Sequence, residues 1–266
     1  MSPINHSDRW LSIVGIGEDG MAGLSPLAAA VVNRAELLVG GARHLAMVPE
    51  GTAESPAERL TWPSPLTDAI GPIKAARGRR VVVLASGDPF LWGVGATLAR
   101  FIPPEEMACH PAPSSFSLAA ARLGWAQQDC VLISLHGRPF ETLVPHVQPH
   151  ARILALTWDG RTAAKAAARL TELGFGLSRL TVLERMGGTG EQIRSARADA
   201  FDLDGIDPLN VLAIEVVAGP DARPLSLAGG LPDAFFEHDG QLTKREIRAV
   251  TLSALAPLRG QLLWDI

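Results

Sequence analysis

Tyrosine is missing from this 266-residue chain, and cysteine and lysine are scarce. The two cysteines, Cys109 and Cys130, form no Cys-x-x-Cys pair. That excludes a disulfide framework and fits a reducing, cytoplasmic setting. The seven histidines are scattered, and His146 and His150 flank Pro149 without a third ligand, so no metal site is expected. No apolar run reaches the roughly 18 residues that a membrane span needs. The opening, MSPINHSDRW, lacks the charged-then-apolar layout of a signal peptide. A formal charge of −4 speaks against a general nucleic-acid binder. Gly-x-Ser-x-Gly does not occur, which disfavours a hydrolase triad. What the chain does have is 47% hydrophobic and 20% charged residues, enough for a packed core. Its cations are arginines apart from Lys74, Lys165 and Lys244, a bias that GC-rich coding explains.

Strand-like and helix-like runs alternate. Strands are expected at Trp10–Gly15, Glu36–Gly40 and Arg80–Ala85, and helices at Leu24–Arg34, Pro65–Arg77 and Trp92–Phe101. This order argues for a mainly parallel sheet. Four prolines within Phe101–Ser115 mark a boundary. Beyond it come a helix at Ser115–Leu123, strands at Cys130–Ser134 and Arg152–Thr157, and a helix at Arg161–Leu173. Strands at Leu180–Glu184, Gln192–Ala196 and Asn210–Val217 follow, the last two antiparallel. The expected fold class is therefore α/β, with domains at 1–108 and 109–228 and a cleft between them. A stub at 229–266 holds a helix, Thr243–Leu255, with Thr243 and Glu246 in capping-box spacing, and a last strand, Gln261–Ile266.

Several motifs could carry chemistry. The strand Val81–Ala85 stops at Ser86-Gly87-Asp88-Pro89, a tight turn at the sheet edge where open α/β sheets bind ligands. Asp88 reads equally well as a helix cap. Pro111-Ala-Pro113-Ser114-Ser115 places two hydroxyls at a helix start, to cap it or to meet a ligand. Gly15-Ile-Gly17-Glu-Asp-Gly20 fits the dinucleotide fingerprint, but Glu36 begins the second strand rather than ending it. The helix start at Leu24–Pro26 also lies far beyond Gly20 for phosphate binding. Two further strands run into Ser134-Leu-His136-Gly-Arg138 and Glu184-Arg-Met186-Gly187-Gly188.

Read in order, Gly15-Ile-Gly17, Ser86–Pro89, Pro-x-Pro-Ser114-Ser115 and Glu184–Gly188 resemble the tetrapyrrole (corrin/porphyrin) methylases. Leu37–Leu45, LLVGGARHL, and Leu132–Arg138, LISLHGR, are similar to the branch that methylates C5 of a precorrin in cobalamin biosynthesis. The chain departs from the family's Gly-x-Gly-Pro-Gly turn with Glu18-Asp19, and from Pro-Gly-Ile-Ser-Ser with Pro111–Ser115. The resemblance implies S-adenosylmethionine as cofactor and S-adenosylhomocysteine as product. It implies a small tetrapyrrole substrate and a homodimer; charge and the lack of a long apolar run already argue for no nucleic-acid and no membrane partner. Carried over residue by residue, Gly87, Asp88 and Leu91 line the cofactor pocket, Ser114 and Ser115 meet its amino-acid part, and Trp158 and Gly187 meet the adenine side. The sulfonium needs no protein nucleophile, so no catalytic residue is assigned; His136 or Glu184 is a candidate proton relay. Arg43, Arg138 and Arg185 are candidate clamps for substrate carboxylates. The tail resembles the opening of a C15-methylating module cut before its glycine-rich loop, so that activity is expected to be missing. The alternatives are an NAD-dependent oxidoreductase built on Gly15–Gly20 and a non-catalytic tetrapyrrole scaffold.

Overall fold

The computed structural model describes residues 9–50, 56–258 and 260–264. Two five-stranded sheets organise the chain. The first holds β1 (Leu11–Ile16), β2 (Leu37–Gly40), β3 (Glu58–Thr61), β4 (Val81–Ser86) and β5 (Met107–His110), in the order β3-β2-β4-β1-β5. Every pairing in it is parallel. Helices cover both faces, so alternate residues of one strand enter different cores. Val81 and Val83 pack with Leu11, Ile13 and Ile73, while Val82 and Leu84 pack with Val14, Ile16 and Val32. A strand buried on both faces reads as a continuous apolar run, which is why β4 is legible.

The second sheet holds β6 (Cys130–Ser134), β7 (Arg152–Leu156), β8 (Arg179–Glu184), β9 (Gln192–Arg197) and β10 (Asn210–Glu215), in the order β6-β7-β10-β8-β9. β6 and β7 are parallel; the other three pairings are antiparallel. Between the sheets in sequence stands α5 (Ser115–Leu123), and α6 (Thr162–Glu172) covers the far face of the second. Gly174 follows α6 at φ +82, a left-handed stop that glycine adopts freely.

Several expectations need correction. The boundary at 108/109 falls inside β5, which pairs with β1, so the first sheet extends to His110. The helix expected at Trp92–Phe101 shrinks to α4 (Val94–Leu98). Trp92 sits at φ +53, and the Gly95 amide donates to the Pro89 carbonyl at 2.9 Å, which ties the approach to the turn instead. Pro65–Arg77 splits into a 3-10 turn and α3 (Ile70–Ala75), because Pro72 has no N–H to bond back to Asp68. α7 (Arg245–Leu255) starts after Lys244 without any side-chain cap, so the Thr243 capping box does not form. The expected last strand has no pairing: 261–264 is irregular, and Asp265 and Ile266 lie outside the described residues. β3 and α2 (Ala42–Ala46) are additions, and β5 gives form to the strand-like piece among the prolines.

Candidate functional site

Connections leave β1 toward β2 on one side and β4 toward β5 on the other, so a crevice must open beyond the carboxyl ends of β1 and β4. Three backbone segments meet there. Gly87 follows β4 at φ +54. Its carbonyl accepts from the Ala112 amide at 3.1 Å, and its own amide donates to the Ile16 carbonyl at 3.3 Å. A Cβ on Gly15 would lie 1.8 Å from the Gly87 oxygen, and one on Gly87 would lie 2.9 Å from the Pro113 oxygen and 3.1 Å from Ser114 Cα. Glycine is required at both places, because backbone occupies the side-chain volume. The Gly87–Asp88 bend and the Ser114–Ser115 start are thus in van der Waals contact.

A cleft of about 1120 Å³ opens at this junction, walled by residues of both sheets. Gly87, Asp88, Leu91, Ser114, Ser115 and Trp158 all line it. Asp88 Oδ1 accepts from the Phe90 amide at 2.9 Å and caps a turn rather than a helix, since α4 begins at Val94. Leu91 reaches from the first half onto the core of the second, and the Trp92 ring stands edge-on to Phe116 at 5.5 Å. Ser114 caps α5, accepting from the Ser117 amide at 3.1 Å. The Ser115 hydroxyl, half-buried beside it, has no hydrogen-bond partner among the described residues. Of the two hydroxyls, one therefore serves the helix and the other faces the cleft unengaged. Trp158 follows β7, 58% exposed, and stacks on His136 with centroids 5.3 Å apart. Gly187 stands outside this wall: Met186 lines the cleft, and the Gly187 amide donates to Glu191 at 2.7 Å.

The Gly15–Gly20 turn is unsuited to a pyrophosphate. Cβ atoms on Gly17 and Gly23 would lie 2.7 and 2.0 Å from the Asp19 carboxylate, so an anion already fills the hollow. α1 (Pro26–Asn33) starts late, with Ser25 as its cap.

Sequence reading named Arg43 and Arg185 but missed what holds them. Glu18 pairs with Arg43 of α2 and with Arg185 Nη2, the latter at 3.2 Å, and Arg185 Nη1 reaches Asp207 at 3.2 Å. The Glu18 side chain is 8% exposed, so one nearly buried carboxylate ties a guanidinium from each half. Arg43 Nη2 also contacts His44 Nε2 at 2.9 Å and Ser86 Oγ at 3.1 Å. A guanidinium only donates, so His44 Nε2 accepts in that contact, while Nδ1 is buried without a hydrogen-bond partner among the described residues. Burial first, then the Arg43 cation, hold His44 down to about 4, against a weaker upward pull from Glu18. The signal was available: in a parallel sheet, the residues after β2 must sit beside the end of β4.

Glu184 cannot serve as a relay. It is 3% exposed and absent from the cleft wall, with both oxygens on Arg194 at 3.0 and 3.1 Å and one taking the Asp207 amide at 2.7 Å. Among the described residues, no cluster of three or more histidines, cysteines or carboxylates is fit to hold a metal ion, and no helix is long and apolar enough to cross a membrane.

A parallel sheet with a crevice at its switch point, joined to a mixed sheet across a cleft, defines a two-domain α/β architecture, and the chain belongs to the tetrapyrrole (corrin/porphyrin) methylases, whose pattern matches residues 11–202. Residues 234–266 match a precorrin methyltransferase domain. The chain is 54% identical over 257 residues to a precorrin-6Y C(5,15)-methyltransferase [decarboxylating] from Sinorhizobium sp, a match spanning 97% of this chain and 62% of that protein. It thus covers under two thirds of that relative's length. It is 32% identical to a cobalt-precorrin-7 C(5)-methyltransferase from Salmonella typhimurium, over 73% of this chain and 94% of the relative. Among solved structures, a cobalamin biosynthesis precorrin-6Y methylase from Archaeoglobus fulgidus superposes with a TM-score of 0.57 at 26% identity, covering 77% of this chain and 97% of that one.

Proposed function

We propose that this chain transfers a methyl group from S-adenosylmethionine to a precorrin ring carbon, C5 of precorrin-6Y, in cobalamin biosynthesis. The observation that carries the reading is the contact between Gly87 and Ser114 at the wall of a cleft large enough for both reactants. The C5-methylating relative that the chain nearly spans supports the choice of carbon. The cofactor supplies an electrophilic methyl on sulfonium, so the protein's work is placement.

Backbone at Gly87, Asp88 and Leu91 forms one wall of the cofactor pocket. The unengaged Ser115 hydroxyl meets the amino-acid part, and the Trp158 face meets the adenine. Gly187 acts indirectly, by holding the turn that presents Met186. Holding the ring carbon in line with the methyl is worth about 7–11 kcal/mol of barrier. Methylating a carbon that bears hydrogen releases a proton, and with Glu184 committed to Arg194, His136 on the cleft wall is the remaining relay of the two. We place the enzyme in the cytoplasm as a homodimer. Incubation with precorrin-6Y and 13C-methyl-labelled cofactor tests the reading: carbon NMR should find the label at C5. Binding of the macrocycle without label transfer would instead make this a scaffold.

A further inference from the structure

A second cavity, about 290 Å³, opens beside the cleft and shares Arg138 and Trp158 with it. Its apolar lining comes from buried Leu135, Phe140 and the exposed indole of Trp158, and its cationic lining from Arg138, Arg161 and Lys165. None of these three cations has an acidic partner among the described residues. Lys165 Nζ rests 4.1 Å over the Phe140 ring, a contact that a carboxylate would readily replace. The one acid on the rim, Asp159, is turned inward. Its Oδ1 accepts from the amides of Arg161 and Thr162 at 2.8 and 3.0 Å and faces the Thr162 hydroxyl at 3.1 Å. Three cations without an acidic partner among the described residues, beside apolar lining, suit a ligand with a flat apolar body and carboxylate arms.

We infer that this cavity is a subsite for a carboxylate arm of the tetrapyrrole substrate, separate from the cofactor pocket. The inference rests on the function proposed above and names where that substrate is gripped. Arg138, on both rims, would bridge the body in the cleft to the arm in the cavity. The test uses the whole chain saturated with S-adenosylhomocysteine, with uroporphyrin III, an octacarboxylate macrocycle, followed by fluorescence quenching. The double variant Arg161→Gln/Lys165→Gln should bind the porphyrin about tenfold more weakly, the scale of one charge-assisted hydrogen bond. Its salt dependence should also be shallower. Arg161→Lys/Lys165→Arg, which keeps both charges, should restore most of the affinity. S-adenosylhomocysteine binding, by calorimetry, should stay within about twofold of the unsubstituted chain, since a shift of that size is well under 1.4 kcal/mol. Unchanged porphyrin affinity in the double variant, or no porphyrin binding by the unsubstituted chain, overturns the subsite. Equal loss of both ligands overturns it too, by giving the cavity to the cofactor. No S-adenosylhomocysteine binding by the unsubstituted chain would instead sink the methyltransferase reading.

Discussion

At the scale of single residues, the site is built where side chains are absent. Gly15 has ordinary strand geometry, and the Gly87 oxygen at 1.8 Å and the Ala112 nitrogen at 2.6 Å forbid it a Cβ. Gly15→Ala should therefore destabilise the fold by about 3 kcal/mol or more in denaturant titration, an overpacking penalty. Gly124→Ala, at φ +65 with open space around it, should lose only about 1 kcal/mol, a purely conformational effect. The serine pair separates structure from binding. Ser114→Ala removes the α5 cap and should reduce stability by about 1 kcal/mol. Ser115→Ala should leave the melting midpoint in place and weaken S-adenosylhomocysteine in calorimetry. His44 gives a pH signature. Its folded value, about 4, lies below the ordinary 6.5, so its contribution is complete above pH 6.5 and declines as pH falls toward 4. The loss reaches at most ~3 kcal/mol, and His44→Gln should flatten the stability profile across that window. An unchanged profile would contradict the assignment.

At the scale of elements, legibility in the sequence followed burial. β4 and β6 declared themselves through apolar runs, and α5 through its serine cap, because the forces that form them act within a few residues. β3, an edge strand reading Glu-Arg-Leu-Thr and mostly exposed, carries no such pattern; the sheet imposes its pairing. α4 was misread because helix-forming residues, Trp92 to Phe101, lost to a turn fixed by the Pro89 carbonyl. The last strand failed for want of a partner, since a strand alone gains no ladder. Within the site, the Gly87 and Ser114 motifs were visible as strand and helix ends. The Glu18 bridge was not, because its Arg185 partner lies 167 positions away, where sequence spacing says nothing. The β8–β9 hairpin has its own test. Arg194→Gln would leave the Glu184 carboxylate buried with the Asp207 amide as its remaining partner. About 3 kcal/mol should be lost in chemical denaturation, with the cleft wall unaffected.

At the scale of the whole molecule, two sheets of different construction meet where their loops can hold one ligand between them. The parallel sheet offers a switch-point crevice of backbone, and the mixed sheet offers Trp158, His136 and Met186. Glu18 joins the two sides through opposed guanidiniums, and Leu91 and Trp92 join them through apolar contact. Under the proposed methyl transfer, placement by the two halves would supply the rate, and no protein nucleophile would be needed. The most direct measurement is a crystal structure with S-adenosylhomocysteine bound. The account predicts its sulfur between the Gly87–Asp88 bend and Ser115, with the adenine against Trp158. Density for the ligand along the Gly15–Gly20 turn, or anywhere outside this cleft, would contradict it.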